Sequence, residues 1–190
     1  MRSLRVFNQV SLDGYFADRN GDMRWAHQED DEWRSFVASN AAQSGVLVFG
    51  RVTYDLMAGY WPSPGARTAN PAVAEHMNRR QKIVFSRTLK EPSWTPTRVL
   101  SGDLSAQVRE LKREPGPDLI VLGSGTVVAQ LTDARLVDEY RVVVIPLVLG
   151  GGRTMFEGVG REVKLALRST RSFRNGNVLL SYELAPEAAG

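Results

Sequence analysis

Three short stretches of this chain put glycines, hydroxyls and arginines where an anion could be held. The first is Asp118–Leu131, DLIVLGSGTVVAQL. Its apolar run Leu119–Leu122 has the composition of a strand buried on both faces. The run stops at Gly123-Ser124-Gly125-Thr126, after which Val127, Val128 and Leu131 fall at helical spacing. Glycines at such a point let the backbone turn tightly and let a ligand approach without meeting a Cβ. The helix that follows starts with unpaired N–H groups and a partial positive charge, which suit a phosphate. The second stretch is Gly50-Arg51 with Thr53, and the third is Ser86-Arg87, each directly after a short apolar run. A guanidinium is a planar fork of donors matched to phosphate oxygens. A glycine loop for a pyrophosphate and two arginines for an additional phosphate suit NADPH better than NADH.

The same residues have plainer readings. Gly-x-Gly after a strand also serves an ordinary turn. The dinucleotide fingerprint asks for Gly or Ala where Val128 stands, and a nucleophile elbow asks for Gly where Leu122 and Thr126 stand. Gly45 and Gly50 have P-loop spacing, but Arg51-Val52 replace the Lys-Ser/Thr that would hold phosphate and magnesium. Asp13, in Ser11-Leu12-Asp13-Gly14-Tyr15, is the candidate for proton handling or for hydrogen-bonding a ligand. An Asp before Gly also makes a turn on its own account. Trp25 and Tyr54 offer faces on which a flat heteroaromatic ring would stack, or else they are packing residues.

These groups need a scaffold, and the 190 residues suffice for one domain, 1–190, with its own core. Apolar residues make up 43% and charged residues 24%, the balance of a globular soluble chain. With no cysteine and two histidines, thiolate and histidine-rich metal chemistry are excluded and no metal site is expected. The 24 basic and 21 acidic residues are interleaved, so no basic stripe for nucleic acid exists. No run is long enough to span a membrane and none resembles a leader, so the expected compartment is the cytoplasm.

Leu4–Val10 reads as a buried strand, Ser11–Tyr15 as a turn and Asp18–Asp22 as a polar tip. Glu29-Asp30-Asp31-Glu32 precede Trp33, Phe36 and Val37, the acidic first turn and apolar face of a helix. Val46–Phe49 and Lys82–Phe85 read as short strands, with Val99-Leu100 as a further candidate. Helical patterns follow at Thr53–Met57, after Asn70-Pro71 and after Asp103, and Gly59–Gly65 reads as a loop. Val137–Leu149 is a long β run that Pro146 must end, bulge or place at an edge. Val163–Leu167 and Val178–Leu184 alternate around Asn175-Gly176, a type I′ hairpin signal, and the tail Ala185–Gly190 reads as frayed. The alternation of strands and helices predicts an α/β fold: a mixed, mainly parallel sheet with helices on both faces, finished by an antiparallel hairpin.

Taken together and in order, Ser11–Ala17 (SLDGYFA), Phe49–Tyr54 (FGRVTY), Leu122–Gly125 (LGSG), Val137–Tyr140 (VDEY) and Pro146–Gly152 (PLVLGGG) resemble the dihydrofolate-reductase-like superfamily. The nearest branch is the C-terminal reductase domain of the bifunctional riboflavin deaminase–reductase and its stand-alone relatives. The resemblance runs from about Leu4 to Leu184. It implies a three-layer fold around about eight strands, NADPH as cofactor, a small heterocyclic substrate and a homodimer. It further implies that Arg51, Thr53, Ser86 and Arg87 hold the adenosine 2′-phosphate side, that Gly123–Thr126 wrap the pyrophosphate, and that Asp13 lies beside nicotinamide and substrate. Two positions depart from the pattern. Phe7 stands where the riboflavin reductases carry a lysine, and no carboxylate among Glu29–Glu32 is identifiable as a pterin anchor. The leading expectation is an NADPH-dependent reductase of a pyrimidinone, pterin or related heterocycle. The alternatives are a non-catalytic nucleotide- or ligand-binding protein on the same fold, and an interaction module built on the Pro146 run and the hairpin.

Overall fold

The computed structural model describes residues 1–26 and 30–186. Glu29 and the end of the Ala185–Gly190 tail lie outside the described residues. In chain order the elements are β1 (Leu4–Ser11), β2 (Tyr15–Ala17), a 3-10 turn (Arg24–Ala26), α1 (Asp31–Ala42), β3 (Val46–Gly50), α2 (Arg51–Tyr60), α3 (Pro64–Ala69) and α4 (Pro71–Arg79). There follow β4 (Lys82–Phe85), β5 (Thr97–Leu100), α5 (Leu104–Arg113), β6 (Leu119–Leu122), α6 (Gly125–Asp133), β7 (Glu139–Ile145), β8 (Arg153–Thr154), β9 (Leu165–Ser172) and β10 (Val178–Leu184).

The main sheet has eight strands in the order β5-β4-β3-β6-β1-β7-β10-β9. The first six run parallel, and β10 is antiparallel to both β7 and β9. The chain steps outward through β3, β4 and β5, then returns to lay β6 between β3 and β1. Strand order reverses there, and in open α/β sheets the crevice at such a reversal, outside the carboxyl ends of the strands, takes the ligand. The carboxyl ends of β4, β3, β6 and β1 share that edge.

Side-chain alternation distributes the core. Leu4, Val6 and Val10 of β1 pack with Leu104, Val108 and Leu111 of α5 and with Val127, Val128 and Leu131 of α6 on one face. On the other, Leu47, Phe49, Val84 and Ile120 meet Tyr54, Val73 and Met77 from α2 and α4, while Trp33 and Phe36 of α1 pack on Val143 and Leu179. Each such side chain is worth roughly 1.5–3 kcal/mol relative to exposure. Asp30 and Asp103 cap α1 and α5 by accepting Trp33 N–H at 2.9 Å and Ala106 N–H at 2.8 Å.

Of the outcomes that Pro146 allowed, the structure takes the first: β7 stops at Ile145, because Pro146 has no N–H for the ladder, and Leu147 N–H then donates to Ile145 O at 2.8 Å. Other local details differ from expectation. The Gly59–Gly65 stretch is not all loop: Ser63 accepts Ala66 N–H at 3.2 Å and Pro64 opens α3. The hairpin turn is not type I′. Gly176 alone is left-handed (φ 87°), and Gly176 N–H donates to Phe173 O while Phe173 and Asn177 close the ladder. That is a three-residue loop with glycine at its left-handed position. Finally, β2 and β8 form a separate two-stranded sheet, too short to show as alternation.

Candidate functional site

The Gly123-Ser124-Gly125 loop is built by its neighbours. Gly123 (φ 58°) and Ser124 (φ 56°) are left-handed in succession, a conformation that costs an L-residue such as Ser124 and needs outside support. Asn8, buried in the middle of β1, supplies it by gripping both polar groups of Gly123. Its Oδ1 accepts Gly123 N–H at 2.5 Å and its Nδ2 donates to Gly123 O at 3.2 Å, with Met155 Sδ at 3.0 Å. Ser124 then ties two strand ends together. Its N–H donates to Thr53 Oγ1 at 3.0 Å, and its Oγ accepts Gly50 N–H at 3.0 Å while donating to Leu122 O at 3.2 Å.

The glycines serve the protein's own packing as much as any ligand. A Cβ on Gly123 would come within 2.9 Å of the Thr53 methyl, and one on Gly125 within 2.7 Å of the Phe16 ring. Sequence spacing pointed to these glycines for ligand approach; the close approaches present are to Thr53 and Phe16.

Two helices therefore begin side by side at the carboxyl ends of β3 and β6. Neither α2 nor α6 has a side-chain cap or an acidic residue in its first turn; α1, α3 and α5 are capped by Asp30, Ser63 and Asp103, and α4, likewise uncapped, opens instead on Pro71. Free N–H groups and the positive dipole ends of both helices are left facing the same edge. Arg51 sits at the first position of α2, its Nε 2.6 Å from Asp55 Oδ2. On the next strand end, Ser86 Oγ accepts the N–H groups of Thr88 and Leu89 at 3.2 and 3.0 Å, which folds a small turn and leaves Arg87 exposed. Thr126 is exposed at the start of α6. The structure thus brings Arg51, Thr53, Ser86, Arg87 and Gly123–Thr126 to one edge of the sheet.

Asp13 lies across the edge from them, in a different setting. Its Oδ1 accepts the Ser11 hydroxyl at 2.6 Å and Leu149 N–H at 3.1 Å, and its Oδ2 accepts Gly150 N–H at 2.7 Å. The Ser11 hydroxyl, with the Gly150 and Leu149 amides, holds this carboxyl below the usual carboxylate range. It is ionised at neutral pH and latches the turn after β1 to the loop after β7. The two aromatic candidates part company. Trp25 is partly exposed beside α1, its Nε1 donating to Asp22 O at 3.0 Å. Tyr54 is 1% exposed, inside the core, and its hydroxyl oxygen accepts Trp94 N–H at 2.9 Å. Its face is not presented at any surface. Asn8 was not singled out from sequence, although an Asn-Gln pair inside RVFNQV, a strand-like run, was the available signal.

Among the described residues no cluster of three or more His, Asp or Glu is placed to hold a metal ion, and no helix is long and apolar enough to cross a membrane.

The fold defines the class: an α/β protein with a dihydrofolate-reductase-like fold. The chain matches the RibD C-terminal domain family over residues 2–179 and belongs to that family. It is 28% identical over 173 residues to the uncharacterized protein YyaP of Bacillus subtilis (strain 168), covering 91% of this chain and 90% of the relative. A solved structure named as a riboflavin biosynthesis protein from Shewanella sp. PV-4 superposes with a TM-score of 0.74 at 21% identity, covering 97% of this chain and 99% of that one. Dihydrofolate reductase from Enterococcus faecalis, solved with NADP(H) and RAB-propyl, superposes with a TM-score of 0.64 at 14% identity, covering 97% of both chains.

Proposed function

We propose that this chain is an NADPH-dependent reductase of a pyrimidinone, pterin or related heterocycle, working as one domain over residues 1–190 in the cytoplasm. The observation that carries the reading is the pair of uncapped helix starts, α2 and α6, stitched together by Ser124 beside Arg51 and Arg87. An elongated polyanion matches that donor set: amides of Gly125 and Thr126 for a pyrophosphate, Thr53 at its flank, and the Ser86 turn with the two arginines for a further phosphate. Membership of the RibD C-terminal domain family and the NADP(H) in the Enterococcus neighbour support the same choice. When bound there, NADPH would supply a hydride. The chain would supply orientation: Asn8 fixes the loop, and Asp13, held ionised, fixes the loop over residues 149–150.

The test is titration with NADPH and NADH, read by thermal shift and calorimetry. A ligand at ~100 Kd adds about 2.7 kcal/mol to stability, a readable shift. Arg87→Ala should weaken NADPH roughly tenfold or more, since a hydrogen bond to a charged group is worth ~1.5–3 kcal/mol, and should leave NADH unchanged. Arg51→Ala should cost less, because Asp55 already engages that guanidinium. No response to either nucleotide would end the reading.

One observation favours a second reading, a ligand-binding protein without turnover: the carboxylate nearest the expected reaction site is ionised and fully engaged. NADPH consumption in the presence of candidate heterocycles separates the two.

We propose in addition a homodimer. On the α6 side of β7, β10 and β9 the paired positions Val144/Val178, Val142/Leu180, Tyr182/Leu167 and Leu184/Leu165 carry no charged side chain. Glu139, Arg141, Glu183 and Arg171 all take the other side. Leu167 is nevertheless 55% exposed. A self-complementary apolar sheet face fits a second copy of the chain. Light scattering on a sizing column should give a dimer, and Leu167→Glu a monomer; a monomeric wild type rules it out.

A further inference from the structure

Tyr54 directly follows Thr53 in the first turns of α2, yet it presents nothing at the ligand edge. It is buried in a cluster with Phe49, Val84 and Trp94, against which Leu89 packs. Its hydroxyl oxygen accepts the main-chain N–H of Trp94, 40 positions on, at 2.9 Å. Trp94 belongs to the connection between β4 and β5, whose other end carries Ser86 and Arg87. That connection has no ladder of its own. Ser86 Oγ folds its first turn, and Leu89 seats that turn on the Tyr54 cluster. Among the described residues, the hydrogen bonds from 87–95 to other elements run through Trp94 and Thr95.

Trp94 is the node of those bonds. Besides its N–H to Tyr54, its indole Nε1 donates to Asn78 Oδ1 at 2.7 Å, and Asn78 Nδ2 donates to Trp61 O at 2.9 Å, just past the end of α2. The bond to Tyr54 is the one that meets α2 directly, beside Thr53. The start of α2 has its own supports, since Gly50 N–H and Thr53 Oγ1 are both tied to Ser124. The glycine-loop half of the edge therefore stands on Ser124, and the Arg87 half is keyed to α2 through Trp94. Trp94 is 3% exposed, and a main-chain N–H so placed has to be paired. Without the Tyr54 oxygen the connection must shift to find another acceptor. The Arg87 turn, seated on the same cluster, shifts with it.

We propose that Tyr54 is a positioning residue for the nucleotide: through Trp94 it keeps the Arg87 turn in register with Arg51, and so sets the preference for a 2′-phosphorylated nucleotide. The inference rests on the NADPH reading and deepens it. A guanidinium grips phosphate through a planar fork of donors, so its worth depends on where the fork is held. NADH has no 2′-phosphate to offer that fork, and a displaced Arg87 turn leaves NADH binding as it was.

Calorimetric titration of the full chain with NADPH and with NADH decides it. Tyr54→Phe removes one oxygen and keeps the ring, and should weaken NADPH roughly fivefold with NADH unchanged. Arg87→Ala, which costs roughly tenfold in the wild type, should then cost only roughly twofold in the Tyr54→Phe background. Leu89→Ala, which takes away the seat of the turn and leaves the Tyr54 bond in place, should lower the same NADPH/NADH ratio. Val108→Ala, fully buried on α5 across the sheet, should lower the urea midpoint and leave the ratio at its wild-type value. Equal weakening of both nucleotides by Tyr54→Phe, or the full cost of Arg87→Ala in both backgrounds, reduces Tyr54 to a packing residue and overturns the inference. A wild type that prefers NADPH while Tyr54→Phe keeps that preference overturns this inference alone. A wild type that binds neither nucleotide overturns the cofactor reading and the inference with it, so the two failures are distinguishable.

Discussion

Asn8→Leu should destabilise the protein by about 2–4 kcal/mol and weaken nucleotide binding with it. The side chains are similar in size, so the change deletes hydrogen bonds rather than volume. Gly123 loses the acceptor for its N–H and the donor for its carbonyl, both buried. An unpaired buried polar group costs ~1–3 kcal/mol, and two are created at once. The conformational consequence follows from the backbone. Gly123 and Ser124 are left-handed in succession, and the grip of Asn8 on Gly123 and of Thr53 on Ser124 helps to hold them there. Released, the loop relaxes, Ser124 Oγ leaves Gly50 N–H, and the starts of α2 and α6 lose their register. Urea unfolding reads the first effect and NADPH titration the second. Met155→Leu is the control, since it removes only a sulfur acceptor and should cost less than ~1 kcal/mol. A stable, normally binding Asn8→Leu protein would show that the loop keeps its shape unaided.

Much of this architecture can be read from the chain because local and long-range signals agree. Leu119–Leu122 and Val46–Gly50 are β-branched apolar runs that must be buried on both faces, and they occupy the centre of the sheet. The acids before Trp33 and Asp103 before Leu104 announce helix starts that cap as expected. The parallel order of β4, β3 and β6 follows from the helices between them, so the convergence of Arg51, Ser86 and Gly123 on one edge is legible as well. What stayed hidden depends on contacts between distant residues. Tyr54 has the same composition signal as any stacking aromatic, and only the β3–α2 packing against Trp94 buries it. Asp13 is a turn former in sequence; its partners, Leu149 and Gly150, lie 136 and 137 residues away. The same distance hides the role of Asn8, whose partner is 115 residues on. A two-residue strand such as β8 carries no periodicity from which to be read.

Lys82 shows how a residue outside the candidate site can dominate the stability of the sheet beneath it. It is 0% exposed on β4, and its Nζ donates to Asn78 O at 2.9 Å and Arg80 O at 2.7 Å, with Thr95 O at 3.4 Å. The ammonium also lies 4.3 Å from the Trp94 ring centre. Two of those carbonyls close the end of α4, where a positive group is favoured by the helix dipole. Burial nevertheless disfavours the charge and brings its pKa down from 10.5 to about 8. The folded state therefore releases this proton before the unfolded chain does. Between pH ~8 and ~10.5 the unfolded chain binds more protons, so the contribution of Lys82 to stability rises with pH; below pH ~8 the burial penalty is present in full. Lys82→Met keeps the volume but leaves the carbonyls of Asn78 and Arg80 without their donor, at an expected cost of ~1–3 kcal/mol at pH 7. The variant has no proton to release, so its deficit relative to wild type should widen toward pH 10, by up to ~3 kcal/mol for a shift of this size. Paired urea unfolding curves at pH 7 and pH 10 measure the gap. An equal gap at both would mean that the folded lysine titrates as it does in the unfolded chain, and that its three carbonyls offset the whole cost of burying it.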